Sequence, residues 1–184
     1  MIIDGTRFLG TTLWVDFALF GRDQQEQSGK LCEANINDFA NIFLTRRSAA
    51  KSTLEPVDHG RMRRAGDRLT WRKVVEWHRI ARAFLEQELP KRGDWDRTVV
   101  VTHHAPSIHG IEEPTSPGRL DAVYASELDH LIPLADCWMH GHVHRADDYA
   151  GKLGGRVIRN ARGYADSGYD AVGGFQWDRV VTLL

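Results

Sequence analysis

Apolar residues recur at helical spacing over positions 70–89, and this periodicity gives the clearest secondary-structure prediction in the chain. Thr70 is placed to cap the amino terminus of the predicted helix, and Pro90 followed by Gly93 is placed to end it. The residues that form the apolar stripe are Trp71, Val74, Val75, His78, Ala81, Leu85 and Leu89.

Short β-branched and apolar runs predict strands in other parts of the chain. Residues 98–102 predict a buried strand, because all five positions are β-branched and no turn residue interrupts them. Near the amino terminus, the Asp4-Gly5 turn signal predicts a hairpin or the entry to a sheet within residues 1–15. Further strands are predicted at 137–139, 157–159 and 179–183.

The segments between these elements are predicted to be loops and short helices. The predicted loops are a polar loop at 21–30, a surface excursion at 46–69, and a glycine- and proline-rich loop at 108–119. The predicted helices are a short helix or turn-rich segment at 35–44 and a second helix at 126–132 with Ser126 as its cap. The order of strands and helices indicates one α/β domain over residues 1–184, because no repeat or linker divides the chain.

Composition excludes several classes of protein. The chain has 24 basic and 25 acidic residues, so no overall charge favours nucleic acid. Cys32 and Cys137 lie far apart and form no disulfide framework, which favours a reducing compartment. The amino terminus lacks the pattern of a signal peptide, and no apolar run has the length of a membrane span. We therefore expect a cytoplasmic protein without a membrane segment.

The distribution of histidine is the main pointer to chemistry. His103 and His104 directly follow one predicted strand, and His140, His142 and His144 follow another. Side chains at the carboxyl ends of strands project into the crevice where α/β proteins place their sites, and neutral imidazole is a common transition-metal ligand. The pattern therefore predicts a metal centre between the two groups.

The histidines are expected to differ in their roles. His103, His142 and His144 are predicted to be metal ligands, and His104 is predicted to orient a ligand. His140 points away from His142 in an extended segment, so a structural role is expected for it. The histidines that stand alone are read as ordinary surface or core residues, namely His59, His78, His109 and His130.

Two histidine motifs in this order resemble those of the calcineurin-like metallophosphoesterases. VVVTHHAPS at 99–107 resembles the strand-plus-histidine motif of that family, and WMHGHVH at 138–144 resembles its closing GHxH motif. Flanking segments are similar to one bacterial branch of the family in the expected order, so the resemblance spans nearly the whole chain. These flanks are FLGTTLWVDF at 8–17, NDFANI at 37–42, YASELDHLI at 124–132 and RVIRNARGY at 156–164.

The resemblance implies a fold, an activity and a set of site residues. The fold is a sandwich of two β-sheets flanked by helices, and the activity is hydrolysis of phosphomonoesters or phosphodiesters by a metal-activated water. Two divalent ions (Mn, Fe or Zn) are implied, with His103, His142 and His144 among their ligands and His103 and His104 as catalytic candidates. The implied substrate is a small-molecule or nucleotide phosphoester, and Arg119 and Arg162 are candidates to contact its phosphate, although solvated or loop-bracing roles stay open for both.

The first three motifs of that family, D-x-H, GD-x-x-D and GNH, have no counterpart in this sequence. Two adjacent divalent ions need anionic ligands, which imidazoles do not supply. We therefore expect an N-terminally truncated domain that holds one ion or none, exposes an apolar face or an unpaired sheet edge, and takes a complementing N-terminal segment.

Two alternative interpretations stay open. One is a catalytically inactive remnant that binds metal or a partner protein. The other is an unrelated metallohydrolase of the HxHxDH type, which is disfavoured because His144 stands where that motif needs Asp.

Overall fold

A six-stranded sheet is the framework of the computed structural model, which describes residues 1–44, 67–111, 119–164 and 174–183. The strand order is β1-β2-β3-β4-β6-β5; the four inner strands are parallel to one another, and the two outer strands run antiparallel to their neighbours. The strands are β1 (Ile2–Ile3), β2 (Thr6–Thr11), β3 (Arg97–Thr102), β4 (Cys137–His140), β5 (Ala146–Ala150) and β6 (Arg156–Asn160).

The amino-terminal hairpin is confirmed. Ile2 pairs with Arg7 and Ile3 with Thr6 in antiparallel register. The turn between them places Asp4 at φ 45° and Gly5 at φ 71°, a pair of left-handed conformations that an Asp-Gly sequence adopts readily.

Three α-helices lie within the described residues: α1 (Gln25–Asn35), α2 (Asn37–Asn41) and α3 (Trp71–Glu88). Helices α2 and α3 are confirmed, and the Thr70 hydroxyl accepts a hydrogen bond from the Lys73 amide at 3.3 Å as the predicted cap. The predicted excursion at 46–69 lies almost entirely outside the described residues.

The polar loop predicted at 21–30 is wrong, because α1 occupies most of it. The helix buries only small side chains, Ser28, Gly29 and Cys32, so its sequence carries no apolar stripe. Gly29 lies under the Trp71 indole, where a Cβ would come within 2.7 Å of the ring. Contact with α3 therefore stabilises α1, and such contact has no local sequence signal.

The second helix predicted at 126–132 is also wrong. The Ser126 hydroxyl does not cap a helix; it bonds to the Asp16 amide and carboxylate at 3.1 Å. Asp129 is buried and accepts hydrogen bonds from the Ser107 hydroxyl at 2.9 Å and the Lys152 amide at 2.8 Å. These long-range partners hold the segment in irregular structure.

At the carboxyl end, the strand predicted at 179–183 is wrong and β5 was not predicted. The Arg156 guanidinium holds the Thr182 carbonyl at 2.7 Å, and Val181 and Leu183 pack on the sheet without joining it. The sequence of β5 is ADDYA, which has one aromatic and no β-branched residue and therefore a low strand propensity. Pairing with β6 stabilises this strand.

The two faces of the sheet are covered unequally. On one face, Leu9, Val100, Trp138 and Val157 pack against Ala81, Leu85 and Leu89 of the α3 segment. On the other face, Val99, Cys137 and Ile158 are buried beneath Val181 and Leu183, but Val101 is 42% exposed. The fold is therefore a mixed α/β domain built on one sheet; within the described ranges there is no second sheet of the kind that a sandwich needs.

One edge of the sheet is open. From Leu9 onward, β2 has β3 as its only strand partner among the described residues. A groove runs beside this edge from Gly10 to α3, where Ile80 is 56% and Phe84 is 38% exposed. No described helix has the length and apolar character needed to cross a membrane.

Candidate functional site

The two histidine groups meet at the carboxyl ends of β3 and β4. The ring centroids of His103 and His142 lie 4.8 Å apart, and those of His104 and His142 lie 4.5 Å apart. A backbone hydrogen bond of 3.1 Å from the Gly141 amide to the His103 carbonyl ties the two segments together. The topological argument from sequence thus places three of the predicted residues in mutual contact.

Two consecutive tight turns carry the histidines that follow β4. The Val143 amide donates to the Gly141 carbonyl at 2.7 Å, and the Arg145 amide donates to the Val143 carbonyl at 2.8 Å. These i to i+2 bonds define γ-turns with His142 and His144 at their centres. His142 has φ 60°, which is a strained conformation for a non-glycine residue and one that clusters at functional sites.

The His142 ring is prepared to act as an acceptor. Its Nε2 is buried and has no hydrogen-bond partner among the described residues; the ring bonds to the Val123 backbone, which leaves Nδ1 as the bonding nitrogen. A carbonyl only accepts, so Nδ1 carries the proton and Nε2 carries a lone pair. Burial, with lesser repulsion from His103 and His144, lowers the pKa of His142 to about 4 and keeps the ring neutral.

His104 has the same electronic arrangement at greater depth. The side chain is 3% exposed, and its Nδ1 donates to the Thr12 carbonyl at 3.2 Å, which leaves Nε2 unprotonated. The Trp14 ring lies 5.4 Å from the His104 ring. Burial, and after it the proximity of His142, holds the pKa of His104 well below its usual value.

His103 and His144 are exposed and form the outer rim of the cluster. Partial burial lowers the pKa of His103, and the carboxylate of Asp38 in α2 opposes that shift. The His144 ring stands edge-on to the Tyr164 ring at 4.8 Å, and Gly163 leaves the space that the His144 side chain fills. Both histidines of the outer rim therefore have polar or aromatic neighbours from segments distant in sequence.

His140 has the structural position that was expected for it. It is 5% exposed, its Nδ1 lies 2.9 Å from the Gly141 carbonyl, and its Nε2 lies 2.9 Å from the Tyr149 hydroxyl. Burial lowers the pKa of His140 to about 4.

The donor atoms at this site suit a metal ion, but the set of ligands is incomplete. A buried imidazole nitrogen without a partner, as on His142, is the state expected of a ligand. However, across the part of the chain that the structure describes, no three His, Cys, Asp or Glu side chains are already placed to hold one ion. Neutral imidazoles suit one transition-metal ion better than a pair of divalent ions, because they supply no negative charge.

Several neighbours of the cluster were not identified from sequence. They are Trp14 beside His104, Tyr124 at 5.3 Å from the His142 ring, Asp38 near His103 and Tyr164 beside His144. They lie on elements distant in sequence, so only the family resemblance of their flanking segments could have indicated them.

The remaining candidates lie away from the cluster or outside the described side chains. The Arg162 guanidinium lies 4.9 Å from the Trp177 ring centre, and the Arg119 side chain is not among those described. His130 is 3.8 Å from Glu86, His109 is exposed, and His59 falls outside the described ranges. His78 is buried on α3, with Nδ1 3.2 Å from the Leu13 carbonyl.

Comparisons with known proteins add one similarity. No family model and no curated protein matches the chain. The chain is similar to the crystal structure of phosphopantetheinyl hydrolase (PptH) from Mycobacterium tuberculosis, with a TM-score of 0.48 and 16% sequence identity. The match covers 89% of this chain and 54% of that one, so this chain spans about half the length of that protein.

Proposed function

We propose that this chain carries the histidine-bearing part of a metal-dependent phosphoester hydrolase site. The observation that supports it most directly is the Nε2 of His142, which is buried in a cluster of imidazoles and has no hydrogen-bond partner within the described ranges. A buried acceptor without a donor is destabilising unless something binds it, and a divalent cation satisfies that lone pair directly.

In this proposal His103, His142 and His144 hold the ion, which is Mn, Fe or Zn. A divalent ion bound there would neutralise charge on phosphate oxygens and lower the pKa of a bound water. The substrate class is a small-molecule or nucleotide phosphomonoester or phosphodiester. Two exposed ligands, His103 and His144, leave the outer side of the cluster accessible to such a substrate.

His104 is the residue we assign to proton transfer. Its Nδ1 is committed to the Thr12 carbonyl, so the ring keeps one tautomer with the lone pair on Nε2. The ring lies beside His142 at 4.5 Å between centroids, within the cluster that faces the reacting groups. An imidazole in that state can accept a proton from an attacking water and return it to the leaving oxygen.

The open edge of β2 is where we place a complementing N-terminal segment. Beyond Phe8 the strand has no partner on one side among the residues that the structure describes, and the groove beside it exposes Ile80 and Phe84. An added strand would pair with β2 and cover these side chains, as extended segments do at exposed sheet edges. Carboxylates on that segment would supply the negative charge that the histidines lack, and its strand would extend the sheet beyond β2.

The experiment is hydrolysis of bis(p-nitrophenyl) phosphate by the purified chain after loading with Mn²⁺. We expect turnover that is slow, because carboxylate ligands are lacking, but above the protein-free Mn²⁺ control. His142→Ala should remove it, whereas the matched control His130→Ala changes a solitary histidine on the surface and should leave it intact. Equal turnover by His142→Ala and the unmodified chain would contradict the hydrolase proposal.

A further inference from the structure

A chain of two side-chain hydrogen bonds ends on the turn that carries His142. The Tyr149 hydroxyl lies 2.9 Å from His140 Nε2, and His140 Nδ1 lies 2.9 Å from the Gly141 carbonyl oxygen. The carbonyl only accepts, so His140 donates from Nδ1 and Tyr149 must donate to Nε2. The direction of every proton in this chain is therefore determined by its last acceptor.

That last acceptor is also the oxygen that closes the γ-turn. The Gly141 carbonyl accepts the Val143 amide at 2.7 Å around His142, whose φ is 60°. A γ-turn with positive φ is rare and strained, so it persists only where surrounding contacts stabilise it. The His140 ring supplies such a contact through its Nδ1.

Tyr149 is itself held by two distant groups. The Arg159 guanidinium, 2% exposed, lies 5.7 Å from the Tyr149 ring centre and bonds to the Gly110 carbonyl and, at 3.2 Å, to Asp147. Gly110 leaves no spare room: a Cβ there would lie 2.6 Å from the Tyr149 hydroxyl and 3.2 Å from His140 Nε2. The hydroxyl is thus confined to the position from which it bonds to His140.

We propose that Tyr149 and His140 are positioning residues that hold the Gly141 carbonyl and so aim the Nε2 of His142 at its ligand. This inference rests on the proposed function only for the identity of that ligand. The hydrogen-bond chain and the turn that it supports are properties of the fold, so the positioning role can be tested with or without metal.

The test uses Tyr149→Phe, which removes the hydroxyl and keeps the ring. We expect the ring ¹⁵N signals of His142 to shift or broaden in NMR spectra of the metal-free chain. We expect Zn²⁺ affinity measured by titration to fall about tenfold, at the lower end of what outer-shell changes cause. The control is Ser107→Ala, which removes a buried 2.9 Å hydroxyl bond to Asp129 that is not part of this chain of hydrogen bonds.

If the substitutions only reduce stability, the melting temperatures of both variants fall to a similar extent. The His142 signals and the Zn²⁺ affinity of both variants then stay unchanged. That outcome overturns the positioning role. If the unmodified chain binds no Zn²⁺ while Tyr149→Phe still alters the His142 signals, the positioning role stands and the metal-dependent function fails.

Gly110→Ala should disrupt the hydrogen bond between Tyr149 and His140 without changing either of these residues. The added methyl group would displace the Tyr149 hydroxyl, and we expect the same change in the His142 signals. Gly10→Ala is the matched control, because a Cβ at Gly10 meets nothing within 4 Å. Unchanged His142 signals in both Tyr149→Phe and Gly110→Ala, with the His140 signals altered, would exclude the proposal.

Discussion

The outermost parallel strands, β6 and β2, are covered to different extents by their antiparallel neighbours. At one edge β5 pairs with β6 over five residues, from Ala146 with Asn160 to Ala150 with Arg156, and an Arg156–Asp148 ion pair of 2.7 Å joins the strands. At the other edge β1 covers only the start of β2, and the strand is open from Leu9 onward beside the exposed Ile80 and Phe84. The histidine cluster lies between β6, which is covered along its whole length and forms what we call the closed side, and β2, which is covered only at its start and forms the open side.

This difference explains how the site is built. The closed side supplies rigid support, because the turn that carries His142 is held by His140 and Tyr149. The side towards β2 supplies the Thr12 carbonyl and the Trp14 ring to His104. The imidazoles are therefore held from both sides, His142 through the β4–β5 side and His104 through the segment that follows β2.

Truncating a buried residue on the closed side should have the largest effect. Trp138 in β4 is fully buried, and its Nε1 donates to the Thr102 hydroxyl at 3.0 Å. We expect Trp138→Ala to lower the free energy of unfolding by about 3–5 kcal/mol in urea titrations. The paired change on the open side, Ile80→Ala, should stay within about 0.5 kcal/mol of the unmodified chain; similar losses in both would remove the distinction between the edges.

The second largest effect should be a loss of stability in acid, which arises from the buried histidines of the closed side. The pKa values of His140 and His142 are lowered by burial to about 4, below the value of about 6.5 expected when unfolded. Stability is therefore fully present above pH 6.5 or so and is lost as pH falls towards 4, by on the order of 3 kcal/mol for His140 alone. Urea unfolding measured between pH 7 and 4 checks this.

His140→Gln should flatten that acid slope, because the residue no longer takes up a proton on unfolding. His130→Gln, on the surface, is the control and should leave the slope unchanged. A slope that is the same in all three proteins would show that the buried histidines do not govern acid sensitivity.

The smallest effect should come from charging the open edge. An unpaired strand beside apolar side chains favours association between chains. Phe84→Lys should lower the self-associated fraction in sedimentation velocity at high protein concentration and leave stability within about 0.5 kcal/mol. Gln87→Lys, on the same helix outside the groove, controls for added charge; an equal decrease there would point to net charge and not to the edge.

Sequence patterns predicted the elements whose signals are local. Strands β3, β4 and β6 and helix α3 carry continuous apolar runs or helical periodicity, and all four were found. Helix α1 and strand β5 were missed because packing on Trp71 and pairing with β6 stabilise them, and neither contact leaves a local pattern. The strand predicted at 179–183 failed for the converse reason, since Val181 and Leu183 pack on the sheet without joining it and Val180 is exposed.

The site was predictable to a similar extent. Strand ends bring His103, His104 and His142 together, which topology alone anticipates. The depth of His104 and the support that Tyr149 gives to His140 depend on long-range contacts, so no spacing in the sequence reveals them.

The most direct test of the central claim is isothermal titration of the metal-free chain with Zn²⁺, repeated with His142→Ala and His130→Ala. A metal site built on the His142 Nε2 predicts binding of about one ion per chain, weakened at least about tenfold by His142→Ala and unchanged by His130→Ala. Absence of binding by the unmodified chain, or equal binding by His142→Ala, would contradict the assignment of this histidine cluster as a metal centre.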